Sequence, residues 1–289
     1  MRKIFNRYTV IFLALTAYLI VYRMMWKVGL PDFYASAVGC ALVYLVIRLT
    51  GSELAITNTG KKMTLVSFFT LLGLTFLGQE LMQLVNKLLE TFFNSFGQSM
   101  YTAAEAVQQR ELFNDTLAKL TTLFWPFVLG PIVEELLYRS YAAKNFETDG
   151  GKVLAILVSA VVFSAGHGRF QLMTNTFVAG LVLGYIFFEY GIKWACIFHV
   201  INNLGIVGTD LLLCVIFGEA AGTLIWDTVG ILFALFAVGA LIMKRRETRE
   251  YLSTNKAPAG EYKKAFLNIG FVAMLAYDLY KCIVNVAPM

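Results

Sequence analysis

Long apolar runs recur almost end to end along the chain, separated by short polar stretches that carry most of the charge. A run of about 20 apolar residues with few charges reads as a membrane-spanning helix. Such runs fall at about 8–22, 33–47, 63–93, 120–143, 153–170, 172–188, 192–217, 224–243 and 266–286. The expected fold is therefore an all-α polytopic membrane protein with eight or nine transmembrane helices. The last run stays open because Asp278 and Lys281 interrupt it. The first follows Arg2, Lys3 and Arg7 and leads into Arg23 and Lys27 without a small-residue cleavage site, so it reads as a helix rather than a signal peptide. The third changes character after Gly78, where Gln79, Glu80 and Gln83 read as a packed polar cluster. Asp210, Glu219 and Asp227 read as solvated groups near helix ends. The polar stretch 94–115 suits a helix at the membrane interface, and 244–264 is the clearest loop. Three parts follow: N-terminal helices with the interfacial segment over 1–116, a core over 117–218 and C-terminal helices over 219–289.

Composition supports this class. Of 289 residues, 58% are hydrophobic and 15% charged, whereas soluble domains carry about 45–50% and about 25%. The net charge of +5 needs no nucleic-acid partner, because cytoplasmic loops of membrane proteins are basic anyway. With the N-terminus inside and nine spans, 16 Lys and Arg fall on the inner side and seven on the outer. An integral multi-pass protein of the cell membrane, N-terminus cytoplasmic, is the expectation. Cys40, Cys196, Cys214 and Cys282 are scattered singly, with neither disulfide-framework nor zinc-knuckle spacing.

The chemistry concentrates in Pro131-Ile-Val-Glu-Glu-Leu-Leu-Tyr-Arg139, which sets two carboxylates and a guanidinium inside an apolar run. Lipid-exposed charge is costly, so such groups turn to a protein interior. Glu135 and Arg139 are i,i+4 neighbours in the favourable order for an ion pair. Glu134 points about 100° away round an α-helix and is left for a cavity. The chain's two histidines also lie in apolar runs, in Phe163-Ser-Ala-Gly-His167 and His199-Val-Ile-Asn-Asn203. In an α-helix Asn203 would share a face with His199. Counting about 1.5 Å per residue from the inner helix ends, Glu134 lies about 14 Å deep, His199 about 10 Å, Asn203 about 16 Å and His167 about 21 Å. They scatter around mid-membrane, which predicts an intramembrane active site.

Glu-Glu-x-x-x-Arg, then Phe-x-x-x-His, then His-x-x-x-Asn, in that order on separate apolar segments, resembles the CPBP family of intramembrane proteases. That family includes the CAAX prenyl endopeptidases and the bacteriocin self-immunity (Abi) proteins. The resemblance covers Pro131 to Asn203. It implies an endopeptidase whose catalytic residues are Glu134, His167, His199 and Asn203, with Glu135, Arg139 and Phe163 in support. Glu134 and His167 would activate a water, while His199 and Asn203 would donate to the oxyanion. No cofactor is required in that scheme.

Alternatives remain at this point. Glu134, His167 and His199 are also ligands of the types that catalytic zinc uses, although no HExxH is present. Cys196, three residues before His199, permits a Cys–His dyad. A non-enzymatic immunity protein would keep the motifs for architecture, and a transporter would use them as a proton relay but lacks a repeat between halves. The expected partners are the lipid bilayer and a peptide, a prenylated protein or a secreted precursor as substrate.

Overall fold

The computed structural model describes residues 7–28, 32–52, 54–55, 59, 61–100, 124–284 and 286–288. Most of the interfacial stretch expected at 94–115 lies outside the described residues. The described chain is almost all helix. In order come α1 (Arg7–Lys27), α2 (Asp32–Thr50), α3 (Leu65–Asn94), a π-helical turn π1 (Trp125–Leu129), α4 (Gly130–Glu134) and π2 (Glu135–Ala143). There follow α5 (Lys144–Ala165), α6 (Phe170–Tyr190), α7 (Ile192–Val200), π3 (Ile201–Val207), α8 (Gly208–Phe217) and α9 (Glu219–Met243). The chain ends in α10 (Arg245–Asn255), α11 (Ala259–Phe266) and α12 (Ile269–Val284). Two short strands, β1 (Gln98–Ser99) and β2 (Ala287–Pro288), pair antiparallel.

Local chemistry explains several boundaries. Thr64 caps α3, its hydroxyl accepting from the Ser67 N–H at 3.1 Å. Pro131 sits in the first turn of α4, where its missing N–H costs nothing. Gly151, at φ 69° and ψ 171°, breaks α5 into two helices.

The core gathers where α1, π2, α5 and α6 meet, around Phe12, Tyr141, Phe146, Leu154 and Phe187. α6 approaches α5 through small residues: a Cβ on Gly180 would stand 3.0 Å from Ala160 Cα, and one on Gly184 3.2 Å from Ile156. α3 lies against α9 in the same way, the Gly73 backbone touching the Phe233 carbonyl and Ala237. A polar knot of Asn86, Gln171, Thr174 and Asn175 joins α3 to α6. Elsewhere the bundle turns apolar side chains outward, among them Leu224, Leu232, Leu235 and Met243 of α9. An exterior this apolar suits lipid rather than water.

The chain is thus a helical membrane protein, but the expected span count changes. Among the described residues four helices are long and apolar enough to cross a membrane, or five if the bent pair α11–α12 is one span. The apolar runs counted toward eight or nine are present as helix. Two are shorter apolar helices, Tyr34–Thr50 and Gly150–Ala165, the latter set off by Gly151, while 124–143 and 192–217 run on as helix through π-helical turns. Two other readings are revised. Asp278, which left the last run open, is fully buried against Arg23 inside α12. Asp227 lies inside α9, not at its end, and acts electrostatically on Glu80 of α3.

Lys61 and Lys152 share Glu189 at 3.0 and 2.9 Å, and Arg23 and Lys281 meet at Gly168.

Candidate active site

The site is built at the junction of α4 and π2, where the ends of α5 and α7 converge. Glu134 ends α4 and Glu135 begins π2, so the adjacent carboxylates diverge. The Glu135 side chain is completely buried, whereas that of Glu134 keeps 31% of its exposure. Glu135 Oε2 stands 3.3 Å from Arg139 Nε, the ion pair expected from the i,i+4 spacing. The pair is close but poorly aligned, since neither atom makes a hydrogen bond. Arg139 is held on two further sides. Its Nη2 donates to the Gly180 carbonyl at 3.3 Å, and its guanidinium lies 4.5 Å over the Phe163 ring.

The other oxygen of Glu135 reaches across 64 residues of sequence. Its Oε1 lies 2.9 Å from Nδ1 of His199, which is itself 2% exposed. Nε2 of the same imidazole is 3.5 Å from Glu134 Oε2. Arg139, Glu135, His199 and Glu134 therefore form one continuous chain of guanidinium, carboxylate, imidazole and carboxylate. The Glu135–His199 bond is the residue relation that sequence reasoning missed. No local spacing signals it, because the partners meet only through tertiary packing.

His167 occupies the turn just after α5. Its Nδ1 is 2.9 Å from the Phe163 carbonyl, and a carbonyl can only accept, so Nδ1 carries a proton and Nε2 is the nitrogen that can offer a lone pair in the neutral ring. Phe163 is central: its ring meets His167 edge-on at 5.0 Å and His199 at 5.5 Å, and also touches Tyr138. Glu134 and His199 both lie close enough to act electrostatically on His167.

Asn203 lies in π3, and the wider π turn leaves it short of a full turn from His199. Its Oδ1 accepts from Asn202 Nδ2 at 3.1 Å, so the two amides are not independent. All three π-helical segments lie in or beside the stretch that carries the site. Such widened turns are frequent at functional sites.

Two alternatives can be tested on this geometry. Among the described residues no group of three or more His, Cys, Asp and Glu side chains is arranged to hold a metal ion. Glu134, His167 and His199 as placed do not fit a three-ligand zinc centre. Both ring nitrogens of His199 are turned to glutamates, which leaves none to serve as base for Cys196.

Comparison with known families adds one finding. Residues 116–205 match the family model described as type II CAAX prenyl endopeptidase, Rce1-like, over about a third of the chain. No curated protein and no solved structure matches the chain. The matched stretch contains all of Glu134, Glu135, Arg139, Phe163, His167, His199 and Asn203. The segment that builds this site is Rce1-like, and the resemblance drawn from its motifs is to the CAAX protease family.

Proposed function

We propose that the protein is an intramembrane endopeptidase that hydrolyses a peptide bond with a water activated by Glu134. The observation that carries this reading is the relay from Arg139 through Glu135 and His199 to Glu134. Glu135 has no exposure and makes an orienter, while the part-exposed Glu134 is the member of the relay open to a substrate.

In the proposed reaction the lone pair of His167 Nε2 accepts one O–H of the water and Glu134 takes the other proton. The water oxygen then attacks the carbonyl carbon and the π-electrons move to the carbonyl oxygen. His199 keeps its Nδ1 contact to Glu135 and, when protonated, passes its Nε2–H from Glu134, now neutral, to that oxyanion, with the Asn203 amide as second donor. As the C–N bond breaks, Glu134 returns its proton to the leaving nitrogen. The base is regenerated, and the two halves of water end on the two products.

The site, on this reading, lies within the membrane, in a protein of the cell membrane with its N-terminus cytoplasmic. Its substrate is a membrane-associated peptide, either prenylated or a secreted precursor. No metal enters any step. A screen of peptides and lipidated peptides with the purified protein in bilayers, read by mass spectrometry, tests the reading. Cleavage by the wild type that disappears with Glu134→Ala supports it. Cleavage that persists in the folded variant overturns it.

A further inference from the structure

The geometry points to Arg23 and Asp278 as positioning residues for His167, a clamp supplied by the first and last long helices. The inference rests on reading His167 as a site residue. Neither clamp residue lies within the 116–205 stretch that matches a known family.

His167 sits between Gly166 and Gly168 in the turn that closes α5. A helix C-terminus presents carbonyls in need of donors and favours a positive charge. Arg23 supplies both, its Nη2 donating to the Gly166 carbonyl at 2.8 Å. Asp278 of α12 fixes the guanidinium from the other side, Oδ1 to Nη1 at 3.2 Å. The Tyr277 ring lies 5.2 Å beneath the same guanidinium. The carboxylate is completely buried, and its Oδ2 has no hydrogen-bond partner among the described residues. A buried acid so incompletely satisfied is an expense that plain helix packing does not require.

The turn is closely packed on either side of His167, and Gly168 also takes a backbone conformation that other residues rarely adopt. A Cβ on Gly166 would stand 2.8 Å from the Tyr138 hydroxyl. Gly168, at φ 66°, would bring a Cβ within 2.9 Å of Arg23 Nη2 and 3.3 Å of Lys281 Cβ. The imidazole is referred to this turn by its bond to the Phe163 carbonyl, and the His167 N–H by its bond to the Ser164 carbonyl at 3.2 Å. Moving the turn moves the ring. A displacement of about 1 Å in a reacting group costs on the order of 10²-fold in rate.

The two histidines of the chain make the test direct. Protein labelled with ¹⁵N-histidine gives two imidazoles, assigned with His167→Gln and His199→Gln. In Arg23→Gln and Asp278→Asn the His167 signals should shift or broaden while those of His199 stay in place. Arg7→Gln removes the α1 hydrogen bond to Asn145 at the other end of that helix and should leave both rings unmoved. Turnover of whichever peptide the wild type cleaves should fall about 10²-fold with KM little changed. If Arg23→Gln and Asp278→Asn do not fold, Arg23→Lys is read the same way. It keeps the charge but lacks the fork that holds carboxylate and carbonyl together. Unmoved His167 signals in a folded clamp variant, or equal movement of both rings, would overturn the clamp. The imidazole signals decide it even if the wild type cleaves no peptide, an outcome that counts against the protease reading alone.

Discussion

Glu135→Gln should damage folding far more than Glu134→Gln, although the residues are neighbours and the change is the same. At 135 the substitution strips the counter-charge from Arg139, whose side chain has no exposure. Removing one partner of a buried ion pair costs about 3–5 kcal/mol, because the other charge stays desolvated. The Gly180 carbonyl and the Phe163 ring still hold the guanidinium and keep the loss within that range. The bond to His199 Nδ1 also changes from charge-assisted to neutral, a difference of about 1 kcal/mol. At 134 the side chain keeps 31% of its exposure, and its contact with His199 is 3.5 Å long. A loosely held, part-solvated pair contributes about 1 kcal/mol or less. Denaturant titration in mixed micelles, read by intrinsic fluorescence, measures both. The double variant Glu135→Gln/Arg139→Met should recover much of the loss, since it removes the guanidinium that the single change leaves buried without a counter-charge. Equal losses at 134 and 135, or a loss below about 1 kcal/mol at 135, would refute the assignment of Glu135 as the buried orienter.

Three further outcomes follow from the same geometry. Asn203→Ala should lower turnover about 10²–10³-fold with KM little changed, as for a lost oxyanion donor, measured by steady-state kinetics. Asn202→Ala should show a smaller loss, because its amide only orients Asn203, and equal losses would remove the donor role from Asn203. Gly73→Leu should lower stability by about 1–3 kcal/mol or more in the same titration, since any side chain there runs into the Phe233 carbonyl; a neutral result would mean α3 and α9 do not approach as described. EDTA or 1,10-phenanthroline should leave peptide cleavage unchanged, and loss on chelation with recovery on added zinc would replace the water-activation scheme.

What the sequence made legible was what is local. The i,i+4 spacing of Glu135 and Arg139 foretold their ion pair, and apolar run lengths foretold a helical membrane protein. Phe163, four residues before His167 and so one turn away, has its ring in contact with the imidazole. What escaped is tertiary or depends on helix type. The Glu135–His199 bond joins residues far apart in the chain. The π-helical turns leave no mark in an apolar pattern, so the α-helical face shared by His199 and Asn203 was drawn for a geometry that the chain leaves at Ile201. The break at Gly151 is likewise invisible in an apolar run that reads as continuous. Arg23 follows the first apolar segment and Asp278 lies in the last, far apart in the chain. Each makes the other's burial tolerable, which a one-dimensional reading cannot see.

The measurement closest to the central claim is turnover of Glu134→Gln in protein whose folding has been verified. Glutamine keeps the shape of the side chain but cannot take a proton from water. The account predicts a loss of at least about 10²-fold, the contribution of a general base, with substrate binding largely retained. Near-normal turnover in the folded variant would contradict it and move the base elsewhere in the site.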